Sequence, residues 1–225
     1  MLHVDPHIKN IIFDFGGVLI DWNPRYLYRS YFGSDEEMEY FLQHICTMEW
    51  NAQMDAGRPF ADAVGELAAQ YPQYAEPIGM YHTRWYDMIG GTVEKGVEWL
   101  RAFKRQGYHL YGLTNWSMET LPTVMARYDF FTLLDGFVAS GEEHLLKPDA
   151  RIYRRLLDRY HLRAEECLFI DDSKTNIDGA AKVGLAVHLF EASEMRQTAS
   201  ELGADWERTG SDHDRGTENQ QITNI

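Results

Sequence analysis

The sequence predicts an α/β protein in which helices cover both faces of a parallel sheet and a helical-bundle cap domain is inserted after the first strand. Two observations lead to this prediction. From residue 90 onward, apolar runs that end in polar residues alternate with helix-like segments, as in a parallel sheet with crossover helices. Before that, residues 22–89 show helical periodicity over a stretch too long for an ordinary strand-to-helix loop.

The first strand is predicted over residues 8–13, a mostly apolar run typical of a strand in the middle of a sheet. Asp14 follows it, and Gly16 and Gly17 then allow a tight turn and a close approach of the backbone to a ligand. Taken alone, Asp14 either caps this turn or stands at the edge of an open parallel sheet where ligands bind.

The cap domain is predicted over residues 22–89, as a helical bundle without a strand of its own. Its apolar side chains recur three and four residues apart, which is typical of amphipathic helices, and many are Trp or Tyr that are expected either in the core or at a ligand cleft. The recurring residues are Tyr28, Tyr31 and Phe32; Met38, Phe41, Leu42 and Ile45; Phe60, Val64, Leu67 and Ala68; and Ile78, Tyr81, Trp85 and Met88.

The core domain is predicted to comprise residues 1–21 and 90–203, followed by a loose polar tail over 204–225. Periodicity and turn residues divide the second part of the core into helices and strands. The predicted helices cover residues 93–107, 118–128, 150–160, 174–183 and 193–202, and the predicted strands cover 109–115, 136–140, 167–172 and 185–190.

Charge and cysteine content restrict the class of function. The net charge of -14 disfavours a nucleic-acid or anionic-membrane partner, and it disfavours phosphorylated substrates unless a local cation or metal offsets it. Cys46 and Cys167 lie far apart, which argues for a reducing compartment and against a thiolate-metal site. Because the sequence also lacks a long apolar run and a signal pattern, we expect a cytoplasmic protein, either a monomer or a homodimer.

Polar residues end three of the predicted strands. Because the carboxyl ends of parallel strands meet at one edge of a sheet, these side chains are expected to converge, and Lys147 lies before a helix on the same side. A carboxylate nucleophile, oxygen ligands for a divalent cation and donors for phosphate oxygens are what phosphoryl transfer through an aspartyl intermediate requires. The strand-end residues are Asp14, the pair Thr114 and Asn115, and the pair Asp171 and Asp172.

Four ordered motifs resemble those of the haloacid dehalogenase-like (HAD) hydrolases, and the similarity covers residues 8–190, including the helical cap. The resemblance implies a Rossmann-like core and a Mg²⁺-dependent phosphatase that acts on a small phosphorylated metabolite, for which a sugar phosphate is one candidate. The motifs are Phe13-Asp14-Phe15-Gly16-Gly17-Val18, Leu113-Thr114-Asn115, Lys147-Pro148-Asp149, and the run from Phe169 to Asn176 that contains Asp171, Asp172 and Ser173.

The resemblance also implies a role for each matched residue. Asp14 is the nucleophile, Thr114 and the adjacent backbone bind the phosphate, and Lys147 neutralises the nucleophile and the transferring group. Asn115 and Gly17 complete the implied phosphate site.

The metal ligands implied in the same way are Asp14, Asp172 and the backbone carbonyl of Gly16, which together hold Mg²⁺. Asp171 is expected behind these ligands, and Asn176 is expected to orient the acidic pair.

One position departs from the family pattern. Phosphatases of this family usually carry a second Asp two residues after the nucleophile, which protonates the leaving group and then activates water, and here that residue is Gly16. Without a residue that replaces this second Asp, hydrolysis of the phosphoenzyme should become slow, and an aryl phosphate should give a burst of phenol. Asp21, the acid nearest in sequence, either replaces it or caps a turn, and Arg25 either meets the substrate or forms a surface salt bridge.

The departure leaves four functions open. The chain resembles sugar-1-phosphate phosphatases, some of which also have glycine at this position. A 2-haloacid dehalogenase would instead carry an aromatic residue there and Ser-Asn-Gly at Thr114-Asn115-Trp116. The others are a binding or regulatory protein with a weakened site and a phosphotransferase or mutase. Retention of Asp14, Lys147 and Asp172 together favours an enzyme, because a pure binder needs no nucleophile.

Overall fold

The computed structural model describes residues 4–191 of the 225-residue chain. The predicted helix over residues 193–202 and the predicted tail over 204–225 lie outside this range. No helix in the described part of the chain is both long and apolar enough to cross a membrane.

A five-stranded parallel sheet forms the centre of the core. In chain order the strands of the molecule are β1 (Asn10–Phe13), β2 (Ile20–Trp22), β3 (Ile89–Thr92), β4 (His109–Thr114), β5 (Gly136–Ala139), β6 (Cys167–Asp171) and β7 (Ala186–Leu189). The parallel sheet has the order β5-β4-β1-β6-β7, so β1 lies in its middle, as predicted. Its neighbours β4 and β6 both run parallel to it.

Helices cover both faces of this sheet, which confirms the predicted fold class. They are α1 (Arg25–Tyr28), α2 (Asp35–His44), α3 (Met48–Asp55), α4 (Phe60–Gln70), α5 (Ala75–Thr83), α6 (Glu94–Arg105), α7 (Leu121–Arg127), α8 (Ser140–Glu143), α9 (Ala150–Arg159) and α10 (Lys174–Lys182). Because side chains alternate along a strand, Ile11 and Phe13 of β1 pack in one apolar cluster with α6, whereas Ile12 packs in another with α9 and α10.

Residues 23–88, called here the helical insertion, carry α1 to α5. An antiparallel pair of strands joins its two ends, since Asp21 of β2 lies opposite Gly91 of β3 and Trp22 lies opposite Ile89. Sequence pattern does not predict this pair, because β2 is three residues long and β3 is rich in glycine. The division of the chain into core and cap domains stays a prediction.

Helices α1 and α7 are clearly shorter than predicted. The period that begins at Tyr28 does not extend α1, because Gly33 follows and Ser34 caps a new helix by accepting a hydrogen bond from the Glu37 backbone N–H at 3.2 Å. Helix α7 begins at Leu121, since Pro122 has no backbone N–H and fits only a first turn. The preceding residues 115–120 therefore form a loop that leads away from the end of β4.

Candidate active site

Lys147 lies between two carboxylates at the carboxyl edge of the sheet. Its Nζ is 2.9 Å from Asp14 Oδ1 and 2.7 Å from Asp171 Oδ2, and it donates to the Leu113 carbonyl at 3.0 Å. The three N–H donors of the ammonium group are thus all engaged, and its side chain is fully buried. Strands β1, β4 and β6 are parallel neighbours, which is why their ends supply all three acceptors.

Asp171 has no exposed surface and is held by the start of α10. Its Oδ1 accepts from the Ser173 backbone N–H at 2.8 Å, and Asn176 Nδ2 lies 3.1 Å from each carboxylate oxygen. Asp171 therefore supports Lys147 from behind, and Asn176 contacts Asp171, whereas the predicted role of Asp171 behind the metal ligands stays a prediction.

Three carboxylates form the acidic cluster of the site. Asp14, Asp171 and Asp172 each offer an oxygen within 4.8 Å of the others, and Asp172 is the exposed member. Burial raises the pKa of Asp14 and of Asp172, and the negative charge of Asp171 adds to both shifts. Burial alone would lower the pKa of Lys147, but Asp14 and Asp171 outweigh that effect and raise it. The cluster therefore favours any added cation.

The two glycines after Asp14 have different roles. Gly17 has a φ of +76°, and a Cβ built there would lie 2.2 Å from Asp172 Oδ2. A Cβ at Gly16 would meet only Trp116 Cζ3, at an ordinary 3.9 Å, and its backbone is outside the left-handed region. Only Gly17 is thus required by the fold, because it brings the backbone against the Asp172 carboxylate.

We expect Gly17→Ala to displace Asp172 and to cost about 1–2 kcal/mol of stability, because a Cβ strains the left-handed backbone. Gly16→Ala is the matched control, and its free energy of unfolding should stay within about 0.5 kcal/mol of the original. Urea denaturation of both variants measures this difference. Equal stabilities would contradict the close approach at Gly17.

Thr114 and Asn115 stand next to Lys147 but differ in their partners. The Thr114 side chain is buried, and its Oγ1 has no hydrogen-bond partner within the described residues. An unsatisfied buried hydroxyl costs about 1–3 kcal/mol, so a ligand oxygen is a suitable partner for it. Asn115 instead accepts from the Lys147 N–H at 2.8 Å and donates to the Lys147 carbonyl at 3.1 Å. Its side chain therefore positions Lys147, and a phosphate-binding role for Asn115 stays a prediction.

A cavity of about 380 Å³ lies between the acidic cluster and the helical insertion. Its lining contains no lysine or arginine among the described residues, so the acidic side chains dominate its charge. The core contributes Asp14, Gly16, Gly17, Asn115, Trp116 and Asp172. The other wall consists of Trp22, Met48, Asn51, Ala52, Asp55 and Trp85.

The structure does not bring Arg25 or Asp21 to this lining. Arg25 binds Glu39 of α2 through two hydrogen bonds, of 2.5 Å from Nε and 2.7 Å from a terminal nitrogen, which is the surface salt bridge left open above. The Asp21 carboxylate accepts from the Tyr26 hydroxyl at 2.7 Å. Both residues have partners of their own, so the structure does not support either of them as part of the site.

Asp55, at the end of α3, is a cavity residue that the sequence analysis missed. Burial raises its pKa to about 7, although hydrogen bonds from the Ser117 backbone and the Asn51 side chain lower it. Asn51 Nδ2 donates to Asp55 Oδ2 at 2.8 Å, and the Tyr81 hydroxyl donates to Asn51 Oδ1 at 3.1 Å. Helical periodicity gave no signal for this role, because Asp55 belongs to none of the apolar repeats.

The chain belongs to the haloacid dehalogenase-like hydrolases, since the model of that family matches residues 8–184. A sesquiterpene phosphatase of Aspergillus oryzae is 28% identical over 84% of this chain and 95% of its own length. A GMP/IMP nucleotidase of Escherichia coli is 25% identical over 65% of this chain and 72% of its own length.

These findings confirm the predicted enzyme class, a HAD-like phosphatase. In fold, the chain is similar to a HAD family enzyme from Bacteroides thetaiotaomicron solved as a magnesium complex. That similarity has a TM-score of 0.67 at 18% identity, and it covers 88% of this chain and 98% of the solved one.

Proposed function

We propose that this chain hydrolyses a small phosphomonoester through a phosphoaspartyl intermediate on Asp14, with Mg²⁺ as cofactor. The observation that carries the proposal is the buried Lys147 held between Asp14 and Asp171, beside the unpartnered hydroxyl of Thr114. A purely structural ion pair would not require an unsatisfied hydroxyl next to it. The phosphatase relatives support the same reaction class.

In the proposed reaction, a carboxylate oxygen of Asp14 attacks phosphorus while the bond to the ester oxygen breaks. Lys147 favours the ionised form of Asp14 and offsets the charge of the transferring group, and Thr114 binds a phosphate oxygen. Water then attacks the phosphorus of the acyl phosphate, which releases inorganic phosphate and restores the Asp14 carboxylate. The Phe15 backbone N–H, 2.6 Å from Asp14 Oδ1, helps to fix the orientation of the nucleophile.

The acidic cluster fits Mg²⁺, because its donors are hard carboxylate oxygens close enough to share one cation. Asp14, Asp172 and the carbonyl of Gly16 would hold it. When bound, the ion would supply positive charge that admits a phosphate dianion to an otherwise acidic site.

We expect EDTA to abolish phosphate release, because the acidic cluster alone repels a phosphate dianion. Asp172→Ala should raise the Mg²⁺ concentration needed for half-maximal activity by at least ~10-fold, since it removes one ligand. A Mg²⁺ titration of phosphate release in both proteins measures this. Full activity in EDTA would contradict the metal requirement and would favour the metal-free dehalogenase alternative.

The aromatic residues that line the cavity indicate a class of substrate. Trp22, Trp85 and Trp116 line it together with Met48, and Trp22 Nε1 has no hydrogen-bond partner in the described part of the chain. Aromatic walls suit an organic group that is largely apolar or contains a ring. A prenyl or aryl phosphate is thus a candidate beside the sugar phosphate suggested by the sequence, and the sesquiterpene phosphatase relative points the same way.

A phosphate-release assay over a panel of prenyl, aryl, sugar and nucleotide monophosphates, with and without Mg²⁺, tests the proposed function. Release from at least one ester in Mg²⁺ supports it. Phosphoryl transfer to an added sugar without phosphate release would indicate the phosphotransferase, halide release from a 2-haloacid would indicate the dehalogenase, and binding without turnover would indicate the regulatory protein. The predicted cytoplasmic location and the monomeric or homodimeric state remain predictions.

A further inference from the structure

The family position for a general acid and base is occupied here by Gly16, which has no side chain to donate a proton. The cavity nevertheless contains a carboxyl group from the helical insertion, in addition to those of Asp14 and Asp172. Asp55 lines the same cavity as Asp14, Gly16 and Asp172, although it comes from α3 and not from the core.

Contacts with the core hold the end of α3 in place. Ser140 Oγ donates to the Asp55 carbonyl at 2.5 Å and accepts from the Trp116 backbone N–H at 2.9 Å. His144 Nδ1 lies 2.9 Å from the carbonyl of Ala56. Because these core residues follow the ends of β4 and β5, Asp55 has a defined position relative to the strand ends that carry the site.

The Asp55 carboxyl group is bound by neutral donors only, as far as the described residues show. These are Asn51 Nδ2 and the Ser117 backbone N–H, and Asn51 is itself oriented by Tyr81. Two N–H donors leave further positions of the carboxyl group available toward the cavity. A buried carboxyl group without a cationic partner retains its proton more readily than an exposed one. The raised pKa of Asp55, about 7, agrees with this environment.

We propose that Asp55 is the catalytic residue that replaces the missing acid and base, protonating the ester oxygen and then activating water. In the first step its carboxyl proton moves to the ester oxygen as the P–O bond breaks and Asp14 bonds to phosphorus, which leaves an alcohol and an ionised Asp55. In the second step ionised Asp55 takes a proton from water as the water oxygen bonds to phosphorus. This step releases hydrogen phosphate, the Asp14 carboxylate and protonated Asp55.

This inference rests on the proposed phosphatase function, and a purely structural role for Asp55 would make a different prediction. A structural residue would lower activity on all esters alike when replaced. A proton donor matters most where the leaving group is a poor one, and little where the leaving group departs as a stable anion.

The experiment compares Asp55→Asn with the original protein on two substrates. Benzyl phosphate releases a poor leaving group, and para-nitrophenyl phosphate releases a good one. We expect kcat/KM for benzyl phosphate to fall by ~10²–10³-fold and kcat/KM for para-nitrophenyl phosphate to change by less than ~3-fold. Rapid mixing of the variant with para-nitrophenyl phosphate should show a burst of about one nitrophenol per site, because water attack on the phosphoenzyme has lost its base. Asp62→Asn, the same change at an exposed position on α4, should match the original protein.

A measurement on the original protein keeps the test decisive if Asp55→Asn folds poorly. The original protein should release nitrophenol linearly from the first turnover, and a burst there would overturn the proposal. Gly16→Asp has space for its Cβ and should restore at least ~10-fold of the lost benzyl phosphate activity in the Asp55→Asn background.

The assignment to Asp55 would also be overturned if Asp55→Asn lost equal activity on both esters or lost none on either. It would be overturned as well if Asp21→Asn lost activity on benzyl phosphate but not on para-nitrophenyl phosphate. If the original protein is inactive on every ester tested, that result would instead contradict the proposed function itself. The two failures are therefore distinguishable.

Discussion

Asp14→Asn is expected to lower kcat by at least ~10⁴-fold, because it removes the nucleophile of the proposed reaction. The change preserves the shape of the side chain, whose Oδ1 can still accept from the Phe15 N–H and from Lys147. Lys147 also keeps Asp171 and the Leu113 carbonyl as partners. The fold should therefore persist while turnover is lost.

Phosphate release and thermal unfolding of the same preparations measure the two halves of this prediction. Asp178→Asn is a suitable control, because it removes the same charge on the exposed side of α10, where Asp178 pairs with Lys174. That control should keep both its activity and its melting temperature. A normally folded Asp14→Asn protein with unchanged phosphate release would rule out Asp14 as the nucleophile.

Lys147→Met is expected to destabilise the protein by about 3–5 kcal/mol, because it leaves buried carboxylates without their cation. The free energy of unfolding depends on Lys147 because it contacts both Asp14 and Asp171. Lys174, in its exposed pair with Asp178, contributes little to that free energy. Lys174→Met, the matched control, should cost less than about 1 kcal/mol. Activity of Lys147→Met should also fall, because the transferring group loses its neutralising charge.

The destabilisation should depend on pH in a defined direction. Lys147 lowers the pKa of Asp14 against the larger effect of burial, so its removal should raise that pKa further. A carboxyl group with a raised pKa in the folded state binds more protons than in the unfolded state, so stability falls as pH rises through that interval. The deficit of Lys147→Met should therefore grow as pH rises above about 8, the pKa to which burial raises the Asp14 carboxyl group in the original protein. Urea denaturation at about pH 7 and about pH 9 measures it, and an equal deficit at both would show that lost packing dominates.

The sequence by itself determined the core and its strand ends. The alternation of strands and helices implies parallel pairing, and parallel pairing forces Asp14, Thr114 and Asp171 to one edge whatever the loops do. The location of Lys147 beside them followed from its position before α9. These residues are predictable because local pattern and sheet topology are sufficient to place them.

Only the tertiary structure decided how the helical insertion meets that edge. Helical periodicity shows which side of a helix is buried, but it does not show what that side faces. Arg25 and Asp55 both lie in the insertion, yet Arg25 pairs with Glu39 whereas Asp55 lines the cavity. What separates them is the docking of the end of α3 on Ser140 and His144, contacts between residues 85 and 88 positions apart in the chain. No local pattern encodes such contacts, because they form only when the insertion packs against the folded sheet.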